Sequence, residues 1–359
     1  MNPSMIEWAG RTDAGLMREN NEDAFAVAAL EETGARVCEP EGQLQAIPER
    51  GLILSVADGV GGQSAGEVAS ALAVAGLVEE LARFQESPRP LPSRECGRRL
   101  ETAVRSVNGR IRQEAAADPG KRDMAATLSC LWLAGHRGFF GQVGDSRLYR
   151  FRGGELMQLS HDQSEVGRAV RTGKISEADG KITLGRNFLD QALGIRDERL
   201  APEIDWIEVL PGDVFLLCSD GLVDRLHDSD LADCLGDMLG RRESLRVMVE
   251  ALMRKAEESQ SRDNVTVLLV RTDGTSVPRS APVVAPAPAP APIFVPAPAP
   301  SARVEEKKGR RFPVATITMV AIALLAAAIG VAAGYLLGSA QSKPAPSEPL
   351  PAVTTSPPD

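Results

Sequence analysis

The chain has 359 residues, of which 40 are Lys or Arg and 49 are Asp or Glu, so its formal net charge at pH 7 is -9. This acidic balance, without a basic stripe, argues against a nucleic-acid-binding protein. The five cysteines are scattered and never in Cys-x-x-Cys spacing, which argues against zinc and a disulfide framework and fits a reducing cytoplasm.

The first part of the chain, up to residue 271, has a globular composition and alternates between strand and helix patterns. In chain order we predict a strand over 51–57, helices over 64–84 and 93–117, consecutive strands over 125–133, 137–143 and 147–152, a hairpin of 203–209 with 213–219, a helix over 243–258 and a closing strand over 264–271. Grouped helices between antiparallel strands predict an α+β sandwich with the helices outside.

The composition changes abruptly after residue 271. Residues 277–300 alternate Ala and Pro, four basic residues follow at 307–311, and 314–338 is uncharged and largely apolar. We therefore predict a globular domain at 1–274, a Pro/Ala-rich linker at 275–311, one transmembrane helix at 312–338 and a short tail at 339–359. The positive-inside rule places the globular domain on the cytoplasmic side of the inner or plasma membrane.

Four aspartates in separate motifs are the main chemical signal: Asp23, Asp58, Asp220 and Asp263. The last three adjoin apolar, strand-like runs, so we expect them at strand ends that face one cleft. Converging carboxylates without basic partners normally require cations, and all-oxygen ligation suits Mg²⁺ or Mn²⁺. Taken singly, each aspartate also fits a turn or a helix cap.

Residues beside these aspartates add further candidates. Glu22 and Asp23 would face opposite sides of a strand, and Arg18 could supply the bidentate fork that a phosphate needs. Asp145 fits either a hairpin turn or a weaker metal position. Glycines such as Gly59, after Asp58, allow close approach of the backbone to a ligand. None of the three histidines has ligand spacing.

Six motifs in order carry a family resemblance over residues 6–271: 21–25 (NEDAF), 57–62 (ADGVGG), 141–147 (GQVGDSR), 190–194 (DQALG), 217–222 (LCSDGL) and 261–267 (SRDNVTV). In this the chain resembles the PP2C-type (PPM) serine/threonine protein phosphatases, bacterial branch. The resemblance implies a central β-sandwich of two antiparallel sheets flanked by helices, with two Mn²⁺ or Mg²⁺ ions in a cleft at one end.

The resemblance also implies roles for individual residues. Metal ligation falls to Asp58 as the bridging ligand, the Gly59 carbonyl, Glu22, Asp220 and Asp263, with Asp23 acting through a bound water and Asp145 at a third, weaker ion. Arg18 would bind the substrate phosphate and, with Asp58, carry catalysis. Gln63 follows the glycine loop where many relatives have histidine, and the flap over 165–187 lacks a common His-Pro pair.

The predicted function is hydrolysis of phosphoserine and phosphothreonine in proteins by a water activated by two metal ions, at the cytoplasmic face of a membrane. The expected partners are phosphorylated proteins, such as a Ser/Thr kinase or its substrates, and the membrane; the protein is expected to be monomeric and not to bind nucleic acid. The alternative is a catalytically weak, membrane-anchored phosphoprotein-binding or scaffold module with the same fold.

Overall fold

A computed structural model describes residues 5–60, 65–84, 93–176, 179–180 and 188–273. They all belong to the first of two units into which the chain divides, Met1–Pro290 and Ala291–Asp359. Within these ranges no helix is both long and apolar enough to cross a membrane. The predicted linker, transmembrane helix and tail, as well as Gln63, lie outside the described residues, so the predictions made for them stay predictions.

Two antiparallel sheets form the centre of the described structure. The first contains, in spatial order, β10 (Glu155–Gln158), β9 (Arg147–Arg152), β12 (Val214–Cys218), β13 (Val265–Asp273), β1 (Met5–Asp13) and β4 (Glu41–Ala46). The second contains β11 (Glu203–Glu208), β8 (Arg137–Val143), β7 (Leu128–Ala134), β5 (Leu52–Val60), β2 (Asp23–Glu31) and β3 (Gly34–Val37), with β6 (Ala125–Ala126) paired to β5. The predicted sandwich of antiparallel sheets is confirmed.

Helices cover both outer faces of the sandwich. The second sheet packs against α1 (Ala65–Ala82) and α2 (Ser93–Ala117), and the first against α4 (Asp220–Val223), α5 (Asp228–Gly240) and α6 (Leu245–Glu258), while α3 (Glu165–Arg171) follows β10. Between the sheets lies a separate apolar layer that includes Leu54, Leu131, Phe215 and Leu268. Since both faces of β5 and β12 are covered, these strands are almost continuously apolar.

The predicted hairpin of 203–209 with 213–219 is wrong. β11 pairs with β8 in one sheet, whereas β12 pairs with β9 and β13 in the other. The connection between them therefore crosses the sandwich, and it is fixed there because the Asp213 carboxylate accepts hydrogen bonds from Leu210 N (2.8 Å) and Arg152 (2.6 Å). β11 is a largely accessible edge strand and β12 a buried central one, so the two suit different sheets.

The alternative of a hairpin turn for Asp145 is wrong for the same reason. β8 belongs to the second sheet and β9 to the first, so Asp145 lies where the chain changes sheets. The strand predicted over 125–133 is divided at Thr127 into β6 and β7. Both departures lie at the end of the sandwich where the predicted metal ligands are found.

Candidate metal centre

The predicted aspartates come from both sheets and meet at one end of the sandwich. Asp23 begins β2 and stands directly opposite Asp58 of β5 in the antiparallel register. Asp220 follows β12 as the first residue of α4, and Asp263 precedes β13. The negative charge of Asp23 acts on Asp58, and that of Asp58 acts on Asp220. The fold therefore brings together four carboxylates that are far apart in sequence.

Burial disfavours the ionised form of these carboxylates. It raises the pKa of Asp23 to about 6, and the neighbouring charges add to this effect. Burial also raises the pKa of Asp58 and of Asp220 well above the ordinary value; the next cause is repulsion from Asp23 for Asp58 and repulsion from Asp58 for Asp220. Such a set of carboxylates is electrostatically costly unless protons or cations neutralise it.

Two buried carboxylate oxygens show whether the site suits a cation. Oδ1 of Asp23 and Oδ1 of Asp220 are buried and have no hydrogen-bond partner. A buried acceptor without a donor costs free energy, and divalent cations such as Mg²⁺ and Mn²⁺ prefer oxygen ligands of this kind. The donor set therefore suits a hard divalent cation.

The carboxylates lie near one another, but their oxygens do not converge on one point. Among the described residues, no group of three or more His, Cys, Asp or Glu side chains is arranged so that it could hold an ion as it stands. Asp263 is turned toward Arg18, with which it forms an ion pair. Ligation would therefore require small side-chain rotations, which are the expected response to a cation among like charges.

Close backbone packing positions Glu22 and Gly59 beside this group. Gly59 N donates to Glu22 O (3.1 Å), and a Cβ on Gly59 would lie 2.1 Å from Gly66 O. A Cβ on Gly66, in the first turn of α1, would lie 2.8 Å from the Glu22 carboxyl carbon. Only glycines allow the end of β5, the start of α1 and the Glu22 side chain to approach so closely.

Arg18 is paired with one of the predicted metal ligands. Its Nη2 donates to Asp263 Oδ2 at 2.8 Å, and its side chain is 51% exposed. This hydrogen bond is the main reason that the pKa of Arg18 is raised, and Glu22 and Asp58 act in the same direction. Since a guanidinium has five N–H donors, Arg18 retains donors for a phosphate while it contacts Asp263.

Asp145 lies to one side, at a cavity of about 310 Å³ under α3. The cavity is also lined by Asp220, Asp224 and Asp162. Burial raises the pKa of Asp145 to about 7, with Asp162 as the next cause and Asp224 as a further one. Asp145 and Asp220 thus line the same cavity, while a third metal position at Asp145 stays a prediction. Sequence analysis missed Asp162 and Asp224.

Two hydroxyl groups hold Oδ2 of Asp23, the oxygen that does have hydrogen-bond partners. Its Oδ2 accepts hydrogen bonds from Ser219 Oγ (2.6 Å) and Thr266 Oγ1 (2.7 Å), both fully buried. Behind them, Thr12 Oγ1 lies 2.8 Å from Thr266 Oγ1 and accepts from Asn21 Nδ2. Because Thr266 gives its only hydroxyl proton to Asp23, Thr12 must be the donor in the contact between the two threonines.

Two further residues that sequence analysis missed support the site through the backbone. Thr127 binds both backbone groups of Asp58: its N donates to Asp58 O and its Oγ1 accepts from Asp58 N, each at 2.8 Å. Asn264 Oδ1 accepts from Glu22 N at 2.8 Å. The sequence could have pointed to Asn264, because it directly follows Asp263. It offers no comparable sign for Thr127, because a threonine next to a strand is common.

A comparison with protein-family models decides the family. The model described as protein phosphatase 2C matches residues 37–269. The chain belongs to the protein phosphatase 2C family. This span carries Asp58, Asp145, Asp220 and Asp263, whereas Arg18, Glu22 and Asp23 precede it.

Relatives of known name agree with this assignment. The chain is 31% identical over 283 residues to the serine/threonine protein phosphatase PstP of Mycobacterium tuberculosis, an alignment that covers 79% of this chain and 48% of PstP. It therefore spans about half the length of that relative. Identity to the serine/threonine phosphatase stp of Listeria monocytogenes is 32% over 274 residues, covering 76% of this chain and 98% of stp.

A solved structure shows what a phosphatase 2C relative binds. The catalytic domain of PstP in complex with two manganese ions is similar to this chain with a TM-score of 0.59 and 29% identity, covering 75% of this chain and 99% of that domain. The predicted enzyme class, a protein-serine/threonine phosphatase, is confirmed as that of the family, and a divalent metal cofactor is supported. The assignment of individual ligands stays a prediction.

Proposed function

We propose that this phosphatase 2C relative hydrolyses phosphoserine and phosphothreonine in proteins with the help of Mn²⁺ or Mg²⁺. The observation that carries the proposal is the cluster of Asp23, Asp58 and Asp220, in which two buried carboxylate oxygens lack a hydrogen-bond partner. A structural role alone gives no reason to bury repelling carboxylates together, whereas binding of a divalent cation does.

The proposed ligands follow from where the fold places each group. Asp58, Asp220, Asp263, Glu22 and the Gly59 carbonyl would hold the two ions, since the fold brings Asp58 close to Asp220 and packs Gly59 against Glu22. Asp145 would contribute to a third, weaker position. When bound, the two ions would supply a nucleophilic water at neutral pH and neutralise charge on the phosphate.

The chain's own contribution is to orient the reactants. Arg18, half-exposed beside Asp263, would bind the equatorial phosphate oxygens. Asp23 Oδ1 is free of hydrogen bonds because the hydroxyl groups occupy only Oδ2, so it is the oxygen available to orient the attacking water. The water oxygen bonds to phosphorus as the water loses a proton, and the bond from phosphorus to the Ser or Thr oxygen breaks as that oxygen gains one, so the net change is the addition of one water.

The second candidate is a phosphoprotein-binding module with little turnover. Metal-dependent turnover separates the two, so the test is phosphate release from a phosphothreonine peptide by the full-length chain with Mn²⁺, Mg²⁺ or EDTA. Asp220→Asn is compared with Asp237→Asn, an exposed aspartate on α5 that pairs only with Arg241 at the surface among the contacts described. We expect release that EDTA and Asp220→Asn abolish and Asp237→Asn preserves; a folded wild-type chain that binds the peptide without releasing phosphate would establish the binding module.

We further propose that residues 312–338 anchor the phosphatase in a membrane, with the catalytic domain in the cytoplasm near Ser/Thr kinases or their substrates. The support is the uncharged stretch at 314–338 behind the cluster Lys307, Lys308, Arg310 and Arg311. The test is extraction of membranes with alkaline carbonate: the full chain should stay in the pellet, and a chain without 312–338 should be released. Release of both would refute the anchor.

A further inference from the structure

The loop between β1 and β2, residues 14–20, exposes two large hydrophobic side chains beside the candidate metal centre. Leu16 is 65% exposed and Met17 is 67% exposed. Single exposed hydrophobic residues are common, but two adjacent ones next to a functional residue mark a contact surface. They immediately precede Arg18, the proposed phosphate ligand.

The loop is held in place at both ends by one side chain. Asn264 Nδ2 donates to Ala14 O (3.0 Å) and to Asn20 O (2.9 Å). Gly15, with φ +71°, packs so closely that a Cβ there would lie 2.4 Å from Asp263 O. The ends are therefore fixed against β13 while the tip stays accessible, so a ligand that contacts the tip meets a preorganised surface.

The position of the loop determines what reaches it. Only Met17 lies between Leu16 and Arg18, so their Cα atoms are at most about 8 Å apart. A phosphorylated side chain bound by Arg18 brings its own neighbours in the substrate within a similar distance. Val60, 48% exposed and directly after Gly59, adds apolar surface at the end of β5. The residue beside the phosphoresidue therefore comes within reach of the apolar side chains of Leu16 and Met17.

We propose that Leu16 and Met17 form a specificity subsite for the residue adjacent to the phosphoserine or phosphothreonine, and that this subsite selects a large aliphatic or aromatic side chain. The inference rests on the proposed phosphatase function. Methionine is unbranched and adaptable, so the subsite accepts a class of apolar side chains rather than one shape. The occupant is an extended phosphorylated segment of a substrate protein.

The test compares two phosphothreonine peptides that differ only in carrying Leu or Ser on both sides of the phosphothreonine. The full-length wild-type chain should prefer the Leu peptide in kcat/KM by about fivefold or more, and Leu16→Ser/Met17→Ser should reduce this preference to less than about twofold. Val247→Ser, at a 44% exposed position on α6, is the matched control and should keep the wild-type preference. Hydrolysis of para-nitrophenyl phosphate, which lacks flanking residues, should be equal in all three.

Each other outcome decides against the subsite. An unchanged preference in the double variant overturns it, and so does a wild-type chain with no preference. If the double variant also loses para-nitrophenyl phosphate hydrolysis, the conservative Met17→Leu and Leu16→Met variants are measured, and loss of activity there assigns the loop to folding. Altered sedimentation or membrane binding with unchanged peptide preference assigns the loop to those contacts instead. A wild-type chain inactive on all substrates overturns the phosphatase proposal itself.

Discussion

Arg18 donates a 2.8 Å hydrogen bond to Asp263, so the proposed phosphate ligand is paired with a proposed metal ligand. A bound phosphate and a bound cation would therefore both act on this ion pair. A cation held by Asp263 would replace the guanidinium as its neutralising partner, which would leave more of the Arg18 donors to a phosphate. Substrate binding and metal binding would then be linked through this contact.

The variant Arg18→Ala separates the binding of phosphate by Arg18 from its ion pair with Asp263. Losing a charge-assisted contact to the phosphate should raise KM for a phosphopeptide about 10- to 100-fold. Mn²⁺ affinity, measured by titration calorimetry, should not weaken, because a cation next to Asp263 has been removed. Arg36→Ala is the control, since Arg36 is similarly exposed (54%) and pairs with Glu31 on the β2–β3 hairpin. Weaker Mn²⁺ binding by Arg18→Ala would contradict this division of roles.

Thr266→Val tests the hydroxyl support of Asp23. The variant keeps the shape of the side chain but removes a donor to Asp23 Oδ2, so kcat should fall about tenfold without loss of the fold.

The matched control is Thr272→Val on the same strand. Thr272 is equally buried, but its hydroxyl donates to Leu210 O, at the opposite end of β13. That variant should lower the free energy of unfolding by about 1 kcal/mol and leave kcat unchanged. Equal kcat values for the two variants would show that the hydroxyl of Thr266 serves packing alone.

Two helical glycines should respond oppositely to alanine. Gly109→Ala on α2 has no atom within 4 Å of the new Cβ, so it should stabilise the protein by about 0.5–1 kcal/mol. Gly66→Ala on α1 pushes against Glu22 and Gly59 O, and should cost about 1–3 kcal/mol and reduce activity. Urea unfolding and phosphopeptide turnover check both. A stabilised, fully active Gly66→Ala would rule out the close packing beside Glu22.

Without metal, the free energy of unfolding should fall as the pH rises through the pKa range of the buried aspartates. The pKa of Asp23 is about 6 in the folded protein against an ordinary 3.8, so between these values the folded state binds more protons than the unfolded state. The free energy of unfolding contributed by Asp23 therefore falls as pH rises from about 4 to about 6, by on the order of 2–3 kcal/mol.

Urea unfolding in EDTA measures this effect, and Asp23→Asn isolates it. The wild type should lose more stability than Asp23→Asn between pH 4.5 and pH 7, and Mn²⁺ should remove most of the difference. Parallel pH profiles for the two proteins would show that Asp23 is not protonated in the metal-free fold.

Local patterns predicted much of this molecule, and contacts distant in sequence account for what they missed. The helix over 93–117 is correct at both ends, since an apolar face and a Pro-Gly stop are local signals. The predicted hairpin of 203–209 with 213–219 was wrong because the sequence of a short connection is similar whether the chain turns within one sheet or crosses to the other. Asp58, Asp220 and Asp263 stood out because each adjoins an apolar, strand-like run, whereas Asp23 stood out through the acidic pair that it forms with Glu22. Thr266 and Thr127 did not, since threonine is ordinary in strands and only the folded contacts reveal their partners.

The order of the strands has a consequence for the newly made protein. β13 is the last strand among the residues that the structure describes, yet it lies between β12 and β1 and carries Thr266, shortly after Asp263. A nascent chain on the ribosome therefore lacks the proposed ligand Asp263, the hydroxyl support of Asp23 and the centre of its first sheet until this strand has emerged. We expect the proposed phosphatase activity only after the whole domain has been synthesised.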